Sequence, residues 1–122
     1  MSDLQFDTDI LIDALRGYPQ AKAELRRAKA RWISRITWIE VLCGADPAGF
    51  AEIEAFLDHF SVIELDADIA RRAALIRGEG RMRLPDAIIW ASAQARGHVL
   101  VTRNCRDFPE GMPGVRIPYQ LG

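Results

Sequence analysis

84-LPDAIIWASAQARGHVLVT-102 contains a helix followed by a strand, and that order decides the fold. Pro85 suits a first helical turn, the alanine-rich run continues to residue 96, and Gly97 suits the residue that ends a helix. HVLVT (98–102) is short, apolar and β-branched, which reads as a strand. Outward from this unit the pattern repeats. LQFD (4–7), RWIS (31–34) and SVIEL (61–65) read as strands, and VRIP (115–118) as a short fifth. Helical spacing predicts helices over 9–16, 19–30, 36–45, 48–59 and 67–79, with a short turn after 103. Strands interleaved with helices imply a mainly parallel sheet of four to five strands covered on both faces, a three-layer α/β domain.

A chain of 122 residues is read as one domain, 1–122, because two halves would each be too small to stabilise a core. With 49% apolar and 27% charged residues it falls in the globular class. No apolar run is long enough to cross a bilayer, and MSDLQFDTD lacks the basic and apolar segments of a signal peptide. The expectation is a cytoplasmic protein without a membrane association. Cys43 and Cys105 have no His or Cys at ligand spacing, which argues against zinc and for reduced, structural thiols. The net charge is −1, yet charge is sorted along the chain. Residues 46–68 carry seven acids and no Lys or Arg, while 71–83 carry five arginines against Glu79. Lys22, Arg26 and Lys29 form a basic helical face that RNA, a dimer seam or solvent could cover.

In open α/β sheets ligands bind beyond the carboxyl ends of the strands. Asp7 ends the first strand, and Thr102, Asn104 and Asp107 follow the end of HVLVT. Two further acids sit in apolar helices, Glu40 in ITWIEVLCG and Asp86 in LPDAIIWASA. Acids in such company are seldom buried without partners. Each has a plainer reading: Asp7 and Asp86 as helix-terminus residues, Glu40 as the partner of Arg35, Asp107 as a turn residue before Pro109. Convergence of all four on one edge tips the balance. Carboxylates packed within a few ångströms repel unless a proton or a cation intervenes. Oxygen-only ligation selects Mg²⁺ or Mn²⁺, which can activate water to attack a phosphodiester.

At these residues the chain resembles the PIN-domain ribonucleases, in particular the VapC-type toxins of prokaryotic toxin–antitoxin pairs. The matching stretches are FDTDILIDAL, ITWIEVLCG, LPDAIIWASA and LVTRNCRDF, in order and spanning nearly the whole chain. The resemblance implies a PIN-like α/β/α sandwich, Mg²⁺- or Mn²⁺-dependent RNA cleavage by a metal-activated water, a homodimer and a cognate VapB-type antitoxin. It implies that Asp7, Glu40, Asp86 and Asp107 hold the metal and act in catalysis. Thr8, Asp9, Thr102 and Asn104 are expected to support them. Beside Asn104 and Asp107, Arg103 and Arg106 are the nearest cations for RNA phosphates, with a structural ion pair to a neighbouring acid as the equal alternative. Two positions depart from the family pattern. Asp9 stands where Asn is usual, adding a carboxylate near the metal or pointing it at the helix backbone. Trp90 stands where a small residue is usual, filling the core or narrowing the groove.

Rival readings fit less well. DTD at a strand end also suggests a haloacid-dehalogenase-type phosphatase, but Leu11 occupies the position where that family needs Thr or Val. That family and the response-regulator receiver domains also need a late lysine, and none follows Lys29. A non-catalytic RNA- or partner-binding module on the same scaffold would be expected to lack one of the four acids. Trp32, Trp38 and Trp90 read as core rather than as a base-stacking platform.

Overall fold

The computed structural model describes residues 3–121. Five strands, β1 (Leu4–Phe6), β2 (Arg31–Ser34), β3 (Ser61–Ile63), β4 (Val99–Val101) and β5 (Val115–Arg116), pair in parallel in the order β3-β2-β1-β4-β5. The helices are α1 (Thr8–Leu15), α2 (Pro19–Arg27), α3 (Arg35–Cys43), α4 (Phe50–Leu57), α5 (Ala67–Glu79) and α6 (Leu84–Arg96). Among the described residues no helix is long and apolar enough to cross a membrane.

Two-residue alternation along the strands builds the three layers. Phe6, Ile33 and Val101 point to one face, where they pack with Ile10, Leu11, Leu25, Val41, Leu42 and Leu57 from α1 to α4. Their neighbours point the other way. Ile63 meets Ile69, Ala73, Ala87 and Ala91 of α5 and α6, while Leu100 meets Ile89, Trp90 and Phe108. Each of these large side chains contributes about 1.5–3 kcal/mol by leaving water. Gln5 is the polar exception in the central strand. Its amide donates to the Ile89 carbonyl at 3.1 Å and its oxygen meets His98 at 3.3 Å, so both ends of the buried side chain are paired.

α6 ends as its sequence predicts. Gly97 takes φ 67°, and the N–H groups of Gly97 and His98 bond the carbonyls of Gln94 (3.3 Å) and Ala93 (2.9 Å). Elsewhere, β2 and α5 match their predicted bounds and α1 starts one residue early, while the remaining elements run shorter than predicted. β1 ends at Phe6: the Asp7 N–H still bonds the Val101 carbonyl at 2.9 Å, but Asp7 caps α1. α2 stops at Arg27, since the chain must extend into β2, so Lys29 lies off the helical face expected for it. Trp90 is core, in contact with Phe108 at 5.6 Å, which resolves its reading in favour of filling the interior. Trp32 and Trp38 are only half-buried, Trp32 against His98 and Trp38 beneath Arg35. Cys43 and Cys105 are free and exposed rather than packed structural thiols.

Candidate active site

Because all five strands run the same way, their carboxyl ends open on one edge. There a groove of about 500 Å³ is lined by Asp7, Thr8, Asp9, Ile12, Glu40, Arg83, Asp86, Arg103, Asn104, Arg106 and Asp107. Every predicted site residue but Thr102 is among them, and Thr102 lies fully buried just beneath.

Asp7 is the hinge between β1 and α1. It occupies the N-cap of α1, where Oδ1 accepts from the Thr8 N–H at 2.7 Å. Its Oδ2 accepts from the Thr102 hydroxyl at 2.6 Å. The capping role is therefore real, and it coexists with a place in the groove. Thr8 reaches across from α1 to α3. Its hydroxyl donates to Glu40 at 2.7 Å, and Thr37 stands 3.0 Å away. The alternative pairing of Glu40 with Arg35 does not form, because Arg35 is bidentate on Glu64. Asp86 lies in the first turn of α6, with Arg83 Nε 3.4 Å from Oδ2. Asn104 donates its amide to Asp107 at 3.0 Å and accepts the Asp107 N–H at 3.2 Å, closing the turn after β4.

Asp9 also faces this set. One of its oxygens accepts from the Arg103 N–H at 3.1 Å, while the other is buried and has no partner. Burial, reinforced by the neighbouring Asp9 charge, pushes Asp7 up to about 7 against the bonds from Thr102 and Thr8. Burial likewise pushes Asp9 up to about 6, with Arg103 opposing. Asp86 is raised by burial; Arg83 lowers it and Asp107 adds to the rise. These are the marks of carboxylates crowded in poor solvent.

The acids share a groove but do not form a ready cage. Among the described residues no three His, Cys, Asp or Glu side chains stand close enough to hold an ion as they are. This corrects the expectation of four carboxylates already packed within a few ångströms. Each is turned to a protein donor instead: Thr102 for Asp7, Thr8 for Glu40, Arg83 for Asp86 and Asn104 for Asp107. The donor set nonetheless fits a hard dication, being all oxygen, mutually repelling and including the orphaned oxygen of Asp9.

Arg103 forms the ion pair to a neighbouring acid that was the alternative reading for it. One edge of its guanidinium, Nε and one terminal nitrogen, is held on Asp13 by bonds of 2.6 and 3.0 Å, while the residue still lines the groove. Arg106 lines the groove as expected. Sequence reasoning missed Arg83, although three-residue spacing before Asp86 and a place in the arginine run of 71–83 both mark it. It also missed Asp13, an acid in the apolar string ILIDAL that the argument used for Glu40 should have singled out.

The whole site falls inside a match to the PIN domain family over residues 5–110. The chain is 31% identical to the tRNA(fMet)-specific endonuclease VapC of Salmonella typhimurium, covering 96% of this chain and 97% of the relative. It is 33% identical to the tRNA(fMet)-specific endonuclease VapC of Shigella flexneri, covering 95% and 96%. Among solved structures, one of a toxin–antitoxin complex from Klebsiella pneumoniae superposes with a TM-score of 0.89 at 43% identity, over 98% of this chain and 100% of that one. On sequence and fold together, the chain belongs to the PIN domain family, in its VapC-type branch.

Proposed function

We propose that this chain is a Mg²⁺- or Mn²⁺-dependent endoribonuclease, the toxin of a VapBC-type pair, that hydrolyses RNA phosphodiester bonds. The observation that carries the reading is the meeting of Asp7, Glu40, Asp86 and Asp107, from four separate elements, in one groove. The names of the Salmonella and Shigella relatives support a tRNA-class substrate, and the Klebsiella complex supports a cognate antitoxin as partner. The homodimer and cytoplasmic address expected from the sequence belong to the same reading.

Asp7, Asp86, Glu40 and Asp107 would hold the cation, with Asp9 offering its free oxygen. When bound, a hard dication supplies charge to the phosphoryl group and acidifies water at neutral pH. The remaining work falls to the chain itself. The Thr102 hydroxyl fixes Oδ2 of Asp7, the Thr8 hydroxyl fixes Glu40, and Asn104 fixes Asp107. Arg83 and Arg106 are the cations free to meet flanking phosphates. The Arg83 side chain is 79% exposed and its contact with Asp86 is long, so a solvated pair of this kind holds it only weakly.

The test is cleavage of a single-stranded RNA with and without EDTA. Cleavage should cease with the chelator and return on adding Mg²⁺ or Mn²⁺. RNA binding without any cleavage would favour the binding-module reading instead. Arg83→Ala and Arg106→Ala should each raise KM about 5- to 30-fold, with kcat changed less, since each removes a charge-assisted contact of about 1–2 kcal/mol. Initial-rate kinetics on one oligonucleotide checks this, and an unchanged KM in both would remove the arginines from the substrate path.

A further inference from the structure

Asp13 is the acid that the proposed chemistry leaves unused. It sits one turn beyond Asp9 on α1 with no solvent exposure, covered by Arg103 and Tyr119. Three donors converge on it from distant parts of the chain. Arg103 gives Nε at 2.6 Å and a second nitrogen at 3.0 Å, and the Tyr119 hydroxyl donates at 2.7 Å. Burial pushes Asp13 up, but the bonds from Arg103 and Tyr119 outweigh it and hold the carboxyl below its usual range. Tyr119 is pushed up by burial and by Asp13, so its hydroxyl keeps the proton it donates.

Arg103 is thereby fastened at both ends. Its guanidinium is held by Asp13, and its backbone N–H by Asp9. Its two neighbours are the residues that orient the acids of the groove. Thr102 holds Asp7 at 2.6 Å, Asn104 holds Asp107 at 3.0 Å, and the Asn104 N–H bonds the Thr102 hydroxyl at 3.0 Å. A buried ion pair is seldom better for stability than apolar packing of equal volume, whereas its directional bonds fix orientation. We infer that Asp13 and Tyr119 are positioning residues which, through Arg103, set the 102–104 turn and so aim Asp7, Asp9 and Asp107 into the groove. The inference rests on the nuclease reading above. It makes the segment around Tyr119 a strap across the back of the site, although Tyr119 lines no part of the groove.

Two variants test it. Tyr119→Phe keeps the ring and removes one hydroxyl; Arg103→Lys keeps the charge and removes the fork. Mn²⁺ binding by calorimetry should weaken about three- to tenfold in Tyr119→Phe, the scale of one net hydrogen bond. In Arg103→Lys the loss should be about tenfold or more, as for other residues that orient metal ligands. kcat should fall in parallel, with KM for the RNA within about twofold of wild type. A merely structural role would lower the melting temperature while leaving Mn²⁺ affinity and kcat of the folded protein untouched, and that result overturns the inference alone. A wild-type chain that neither takes up Mn²⁺ nor cleaves RNA would bring down the nuclease reading and this inference together.

Discussion

Asp7→Asn is expected to lose metal-dependent cleavage by at least about 10³-fold, while in EDTA at neutral pH the variant melts above the wild type. The two effects have one cause. Asp7 is buried beside Asp9, and its pKa stands at about 7 rather than near 4. The folded state therefore binds a proton that the unfolded state releases. Stability of the metal-free protein is highest at low pH for this group and declines as pH rises from about 4 to about 7. A shift of this size is worth at most about 4 kcal/mol, and Asp9, raised to about 6, shares the same repulsion. A gain of about 1–3 kcal/mol is the expected share for Asp7→Asn at pH 7.5, since Asn caps a helix as well as Asp does. Thermal melts in EDTA at pH 5 and 7.5 check it: the wild type should lose stability between them, and the variant should lose less. Undiminished cleavage by Asp7→Asn would remove Asp7 from the metal set. Asp86→Asn and Glu40→Gln should lose activity in the same assay.

Phe108→Ala is expected to cost about 3–5 kcal/mol of stability and to reduce cleavage even in the fraction that stays folded. Phe108 is fully buried and meets Trp90 edge to face at 5.6 Å. It follows Asp107 directly, and its N–H bonds the Asn104 carbonyl at 3.0 Å, so it is the apolar root of the turn that carries Asp107. Truncation leaves a cavity under that turn and removes the ring against which Trp90 packs. Urea unfolding followed by tryptophan emission reads the stability loss. A loss below about 1 kcal/mol would mean the pocket collapses around the smaller side chain.

The fold was largely legible because strand-helix alternation leaves few topologies open, and a parallel sheet then brings its carboxyl ends to one edge. That is why Asp7, Asp107, Glu40 and Asp86 could be gathered from the letters alone. Strand ends were read one residue too long at Asp7 and Thr102, whose backbone N–H groups still bond the neighbouring strand while their side chains serve the groove. Pro118 similarly lies past the end of β5. Side-chain commitments were not legible. For Arg103 a phosphate contact and an ion pair stood level, and only the folded chain identifies Asp13 as its partner; Tyr119 reaches the same carboxylate from 106 positions away. Such pairings depend on how helix and strand rotate against each other, which spacing within either one does not record.

The central position of β1 has a consequence for synthesis. Its neighbours are β2 and β4, and the β4 partners Val99 to Val101 leave the ribosome more than ninety residues after Leu4 to Phe6. Contacts of such long range form late and slowly. A nascent or prematurely ended chain lacking residues beyond about 98 has Asp7 without Thr102 and half of the sheet's centre open. A translation product that stops short of β4 is therefore expected to be inert, and any harm to the producing cell has to await synthesis past Thr102.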